Sequence, residues 1–122
     1  MAKYRAVWYF TAAGSKPAKE FLVEQDEKAR AKIARAIAEL EEMGPELHRP
    51  KAAKIRDSLY ELRIEFSPNN YRIIYYFCIQ RNIVLLSAFK KKTQKLDPGE
   101  LETAARRKDD FNLRLNKGEI LL

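Results

Sequence analysis

The sequence is short of the residues that soft-metal and redox chemistry need. Among 122 residues there is one cysteine, Cys78, and one histidine, His48. This count excludes an internal disulfide framework and cannot supply the ligands of a zinc site. We therefore expect no metal and no cofactor. We interpret His48 as a residue of a proline-containing surface loop and Cys78 as a half-buried strand residue.

Long apolar runs are also missing. No stretch approaches the roughly 18 unbroken apolar residues of a membrane span. The N-terminus, MAKYRAVWYFTAAG, lacks the apolar core and the small-residue cleavage pattern of a signal peptide. Apolar residues make up 46% and charged residues 34%, a balance typical of soluble globular proteins. The sequence thus predicts a cytoplasmic protein without a membrane partner, and its length predicts one domain over residues 1–122.

Acidic residues are scarce in the middle of the chain. The net charge is +7, and residues 45–95 contain eleven basic but four acidic side chains, whereas both flanking segments are nearly balanced. Clustered Lys and Arg neutralise phosphates and release condensed counterions, so a polyanion such as nucleic acid is one expected partner. A solvated basic face or a docking surface for an acidic protein is the alternative.

Three helices are predicted from capping residues and apolar periodicity. Ser15 is the expected N-cap of the first helix, with Pro17 in its first turn. Asp26 is the expected N-cap of the second, which ends at Gly44-Pro45. Asp97, followed by proline, opens a C-terminal helix that runs to about residue 115.

Four strands are predicted from β-branched and aromatic residues. YRAVWYF opens the chain, and LYELRIEF, YRIIYYFCI and IVLLSAF follow one another across the short turns SPNN and QRN, which indicates an antiparallel meander. The predicted fold is α+β in the order β-α-α-β-β-β-α. We expect an antiparallel sheet with two N-terminal helices packed on one face and a C-terminal helix.

Alternation along the strands assigns side chains to the two faces of this sheet, because opposite residues in an antiparallel pair share a face. With Ser67–Asn70 as a four-residue loop, one face is apolar and faces the helices; it consists of Tyr60, Leu62, Ile64, Phe66, Tyr71, Ile73, Tyr75 and Phe77. The opposite face carries Glu61, Arg63, Glu65, Arg72, Tyr76 and Cys78.

The third meander strand adds to the charged face. A two-residue Arg81-Asn82 turn would pair Cys78 with Leu85 and Ile74 with Phe89. Ser87, Phe89 and, if the strand extends, Lys91 would then share the face of Arg63 and Arg72. Guanidinium groups bind phosphate bidentately, and lysine adds a point charge. The alternative is that the two arginines pair with Glu61 or Glu65 and only decorate a solvated face.

The segments LYELRIE, YRIIYYF and VLLSAFKKKTQKLDPGELETAARR, in this order, resemble the phage-derived HigB-like toxins of the RelE/ParE superfamily. The resemblance spans roughly residues 53–110 with a compatible strand-helix-helix start. It implies a RelE-like fold and the toxin of a type II toxin–antitoxin pair. The implied activity is a ribosome-dependent, metal-independent endoribonuclease that cuts mRNA in the A site by attack of the 2′-hydroxyl on the adjacent phosphate. The implied partners are the ribosome, mRNA and an antitoxin, usually of the helix-turn-helix type.

The resemblance also assigns residues. Arg72 in YRIIY matches the arginine that stabilises the phosphate, Arg63 in YELRI matches a basic residue of the preceding strand, and Lys91 in AFKKKT occupies the place of a second catalytic basic residue. The basic residues expected to bind RNA around them are Lys54, Arg56, Lys90, Lys92 and Lys95. There are two departures: Glu61 stands where some members have lysine, and the C-terminal region has no tyrosine.

Two other functions use the same features. A ParE-like gyrase poison would be a binding module on the same fold that lacks the nuclease residues. A non-catalytic nucleic-acid-binding module would use the basic face without turnover. The combination of Arg63, Arg72 and Lys91 favours the nuclease.

Overall fold

The computed structural model describes residues 2–92 and 97–122. A five-stranded sheet, in the order β1-β5-β4-β3-β2, carries helices on both faces. The elements are β1 Arg5–Trp8, α1 Pro17–Val23, α2 Glu27–Met43, β2 Ala52–Arg56, β3 Leu59–Phe66, β4 Asn69–Phe77, β5 Asn82–Lys90 and α3 Pro98–Asn116. The predicted α+β class, with two N-terminal helices and a C-terminal one, is confirmed.

One face of the sheet packs against α1 and α2. The apolar stripe of α2, formed by Ala29, Ile33 and Leu40, is buried there. All eight side chains that alternation assigned to the apolar face lie in this cluster. Burial of such a surface is the dominant favourable term in folding, so it fixes which way these strands face.

The ends of the N-terminal helices follow local chemistry. The Asp26 carboxylate accepts a hydrogen bond from the Ala29 amide at 2.8 Å, as an N-cap should. Gly44 ends α2 with φ of 55° beside the ring of Tyr4, where any Cβ would collide. The prediction of Ser15 as N-cap is wrong: Pro17 takes the first helical position, so the residue before it, Lys16, becomes the cap.

Two features of the sheet correct the predicted topology. β1 is parallel to β5, with Arg5 opposite Asn82, so the sheet is mixed rather than antiparallel throughout. Parallel pairing needs a long connection between the two strands. Here the connection from β1 to β5 contains α1, α2 and the three strands β2 to β4. A fifth strand, β2, pairs antiparallel to β3, with Ala52 opposite Leu62.

The β3–β4 hairpin is tighter than predicted. Phe66 is opposite Asn69, so the turn has two residues and the predicted four-residue loop Ser67–Asn70 is wrong. Arg63 lies directly opposite Arg72. The register moves by two residues, an even number, so every side chain keeps its predicted face.

The β4–β5 register differs from the prediction in a similar way. Ile74 is opposite Ser87 rather than Phe89, and Phe89 is opposite Arg72. The register then shifts between Ile74 and Tyr75, which leaves Leu86 without an opposite residue. Leu85 lies opposite Tyr75, so the predicted pairing of Cys78 with Leu85 is wrong. Ser87 and Phe89 nevertheless share the face of Arg72, as predicted.

The second face of the sheet packs against α3. Ala104 and Phe111 are fully buried on that helix, against strand residues that include Ile74, Tyr76 and Leu86. The Tyr76 hydroxyl donates a hydrogen bond to Asn112 Oδ1 at 2.8 Å. The face that alternation marked as charged is therefore a second core over most of its area.

Candidate active site

The candidate site is a block of side chains on three adjacent strands. One row across the sheet, the arginine row, consists of Arg63 of β3, Arg72 of β4 and Phe89 of β5. Glu65 and Asn70 form the next row toward the strand ends. The backbone of β4 and β5 thus brings residues far apart in sequence onto one face.

Lys91 continues this arrangement. Its amide donates to the Asn70 carbonyl at 2.8 Å, which extends the β4–β5 register one residue beyond Lys90. Alternation then places Lys91 on the face of Phe89 and Arg72, where it is half-buried. The three predicted catalytic residues are therefore placed on one face of the sheet.

The two arginines lie directly opposite each other although both side chains are positively charged. The Arg63 amide donates outward to the Lys51 carbonyl at 2.8 Å, so Arg63 and Arg72 form a non-hydrogen-bonded pair, the kind in which opposite side chains are nearest. Like charges directly opposite are destabilising. Glu61 offsets this repulsion, because its Oε1 accepts a hydrogen bond from Arg63 Nε at 2.8 Å.

Arg72 is 8% exposed. Its Nη1 donates to the Tyr71 carbonyl at 2.9 Å, while its Nε is buried without a partner among the described residues. Burial lowers the pKa of Arg72, Glu61 acts against this, and Arg63 lowers the pKa further. Because a guanidinium stays protonated at neutral pH, Arg72 presents a desolvated cation with an unsatisfied donor.

Helix α3 borders the site through Arg107. Its Nη1 donates to the Leu86 carbonyl at 2.8 Å and to Ser87 Oγ at 3.1 Å. Burial lowers the pKa of Arg107. Sequence reasoning missed this residue, because nothing in a helical stripe shows which strand it will meet. Pairing of Glu61 with an arginine was one of the predicted alternatives, but the burial of Glu61 was not predicted.

The other predicted RNA-binding residues are not gathered around the arginine row. Lys90 is opposite Tyr71 and Lys54 is opposite Tyr60, so the register places both on the face of α1 and α2. Arg56 is exposed at the edge strand, opposite Leu59. Lys92 is exposed beyond β5, and Lys95 lies outside the described residues.

A cleft of about 390 Å³ opens between α2 and β3. Its lining includes Lys32, Arg35 and the ion pair of Lys51 with Glu39. Arg63 borders it, but Arg72 and Lys91 do not. We therefore place the candidate site on the arginine row rather than in this cleft.

Residues 2–92 and 97–122 lack two kinds of feature. In this part of the chain no three or more His, Cys, Asp or Glu residues lie grouped as metal ligands. Nor does it contain a helix with the length and apolar content needed to cross a membrane.

The α+β architecture is consistent with a RelE-like fold, and comparison with known families identifies the family of this chain. Residues 20–109 match the family model described as phage derived protein Gp49-like (DUF891), so the chain belongs to that family. The Gp49-like family is a phage-derived family of RelE-like toxins, a group associated with endoribonuclease activity. No curated protein matches the chain.

Proposed function

We propose that this protein is a HigB-like toxin of a type II toxin–antitoxin system, formed by one domain over residues 1–122, which cuts mRNA in the ribosomal A site. The observation that carries the proposal is Arg72. Its guanidinium is buried, its Nε has no partner among the described residues, and it lies directly opposite a second arginine. The two arginines together offer two positive charges to one anion, at a place where water competes poorly. A phosphodiester is the anion that RelE-like toxins act on.

The proposed reaction needs no metal ion. The 2′-hydroxyl of the substrate gives its proton to water as its oxygen attacks the adjacent 3′-phosphate. The P–O bond to the 5′-oxygen of the next nucleotide breaks, which leaves a 2′,3′-cyclic phosphate and, once the leaving oxygen takes up a proton, a free 5′-hydroxyl. Negative charge builds on the non-bridging oxygens, where the Arg72 guanidinium donates. Arg63 binds the same phosphate, and Lys91 donates a proton to the leaving 5′-oxygen.

The proposed partners follow from this reaction. The ribosome orients the mRNA. This orientation matters because the site contains no histidine that could serve as an efficient base. Lys54, Arg56, Lys90, Lys92 and Lys95 bind RNA backbone. An antitoxin, of the helix-turn-helix type, neutralises the protein in the cytoplasm, where translation takes place.

A translation reaction with purified ribosomes and a defined mRNA tests this function. We expect the wild type to cut within codons of translated message, mapped by primer extension of 5′ ends. Arg72→Ala should lose cleavage by a factor of about 100 to 1,000, the loss seen when one donor to a developing oxyanion is removed. It should also abolish growth arrest.

Arg106→Ala is the matched control, because Arg106 is an exposed residue of α3 and is not a member of the row. This variant should cut like the wild type, and circular dichroism should show both variants folded. Intact message with normal translation in the presence of wild type would contradict the proposal. Inhibition of gyrase in a DNA supercoiling assay would then establish the ParE-like alternative.

A further inference from the structure

Glu61 is a buried carboxylate to which the proposed reaction gives no role. It is 5% exposed, and its charge is compensated by Arg63 through one hydrogen bond of 2.8 Å to Nε. Buried carboxylates are rare unless they are paired, and they persist where they fix a geometry. The pair is therefore a built feature of the site.

The geometry of the pair determines which part of Arg63 is free. A guanidinium offers anions two edges, one formed by Nε with a terminal nitrogen and one formed by both terminal nitrogens. Glu61 occupies Nε, so the edge of the two terminal nitrogens is left for a substrate. Arg72 differs, since its Nη1 donates to the Tyr71 carbonyl and its Nε is buried without a partner in the described part of the chain.

Charge supports the same assignment. Glu61 opposes the effect of burial on Arg72 and forms an ion pair with Arg63, so one carboxylate serves both members of a like-charged pair. Without it, Arg63 Nε would lose its acceptor, and repulsion from Arg72 would favour another position of the Arg63 side chain, such as one nearer Glu65 on the same face of β3.

We propose that Glu61 is a positioning residue, which holds Arg63 by Nε so that its terminal edge faces the same phosphate as Arg72. This inference rests on the proposed function and adds a role at the position where related toxins have lysine. Glu61 acts only through Arg63 and neither touches the substrate nor accepts a proton from it.

The test is a double-mutant cycle in the ribosome cleavage reaction, with kcat and KM measured separately. Glu61→Ala should lower kcat on the order of 100-fold with little change in KM, the loss expected when a catalytic group is misplaced by about 1 Å. Glu61→Gln keeps an oxygen that accepts from Nε and should recover most of this loss. In an Arg63→Ala background, Glu61→Ala should have no further effect.

Glu39→Ala serves as a matched control, because it removes a carboxylate from an ion pair of similar length, 2.7 Å to Lys51, in the cleft outside the row. It should leave kcat unchanged. Should Glu61→Ala fail to fold, as judged by thermal melting, Glu61→Gln and the Arg63→Ala background still decide the question.

Three results would overturn the role of Glu61. A Gln variant as inactive as the Ala variant would mean that the carboxylate accepts a proton or acts by its charge. A further loss in the Arg63→Ala background would show action independent of Arg63, and a fully active Glu61→Ala would show no role at all. Wild-type protein that leaves message intact would instead overturn the proposed function, and the role of Glu61 with it.

Discussion

Arg72 combines a buried position with an unsatisfied donor, which is an unfavourable arrangement in a folded protein. A buried polar group left without a partner typically costs about 1–3 kcal/mol. The neighbouring Arg63 adds repulsion. Such a residue weakens the native state unless a ligand satisfies it, so its presence indicates a binding role more strongly than exposure would.

Replacement of Arg72 by methionine should therefore stabilise the protein. Met has a similar length, fills irregular space and needs no hydrogen bond. We expect Arg72→Met to raise the free energy of unfolding, measured by urea denaturation, by about 1–3 kcal/mol. This is the cost of a buried polar group without a hydrogen-bond partner, which the substitution removes. Growth arrest should disappear at the same time.

Arg56→Met is the control for this comparison, because Arg56 is exposed on β2 and its replacement should change stability by no more than about 0.5 kcal/mol. A marked loss of stability in Arg72→Met would show that the guanidinium has favourable interactions in the free protein. It would remove the stability argument for a phosphate ligand.

The sequence predicted that the two arginines share a face, but neither that they lie directly opposite each other nor that Arg72 is buried. Arg63 and Arg72 were assigned to one face by alternation, which depends on parity alone. Burial of Arg72 and Glu61 depends on how the neighbouring strands and α3 close over that face. Helical periodicity in residues 98–116 predicts an apolar stripe, but not which strand receives it.

The helix ends illustrate how capping chemistry acts at the scale of one element. Asp26 satisfies the Ala29 amide of α2, whereas the Ser15 hydroxyl donates to Glu20 Oε2 at 3.2 Å in an exposed position and caps no amide. Asp26→Ala should therefore lower the free energy of unfolding by about 1 kcal/mol, the typical loss of an N-cap.

Ser15→Ala should change stability by no more than a few tenths of a kcal/mol, as expected for an exposed side chain outside special features. Chemical denaturation of the two variants under identical conditions provides the measurement. Equal effects of the two substitutions would contradict the assignment of Lys16, rather than Ser15, as the cap of α1.

The strands show which parts of a sheet are encoded locally. The apolar face of β3 and β4 was predicted residue by residue, because a one-residue slip would bury Glu61 and Arg63 among the helices α1 and α2. β5 is apolar on both faces, so its sequence does not reveal the shift at Leu86. β2 was missed because AAKIR is short and has two adjacent buried alanines instead of alternation.

At the scale of the whole molecule, α3 is tied to the N-terminal end of the chain by a polar network. The Tyr9 hydroxyl donates to Asp110 Oδ2 at 2.7 Å, and Arg114 donates to the same oxygen at 2.8 Å and to the Phe10 carbonyl. Tyr9 and Asp110 are 101 residues apart. The network therefore joins the residues after β1 to the last helix.

This network makes stability depend on pH. Hydrogen bonds from Tyr9 and then from Arg114 lower the pKa of Asp110 below its ordinary value of 3.8. A depressed pKa in the folded state contributes stability above the unfolded value, and this contribution disappears as the pH falls through the folded one. The free energy of unfolding should therefore decrease below about pH 4, where Asp110 takes up a proton.

Asp110→Asn should be less stable than the wild type at neutral pH, and the difference should shrink in acid. Urea denaturation across this range is the measurement. Asp109→Asn is the matched control, because Asp109 is exposed on the same turn of α3. A constant difference between Asp110→Asn and the wild type at every pH would contradict the assignment.

The position of β5 has a consequence for synthesis of the chain. β5 is the last strand to be translated, yet it lies between β1 and β4 and pairs with both. Until Asn82–Lys90 has emerged, the nascent chain holds β1 with no strand to join, and closing so long a loop is slow. The arginine row gains Phe89 and Lys91 at the same late step. An incomplete translation product that ends before β5 therefore lacks a finished site, so the candidate site is completed only after most of the chain has left the ribosome that makes it.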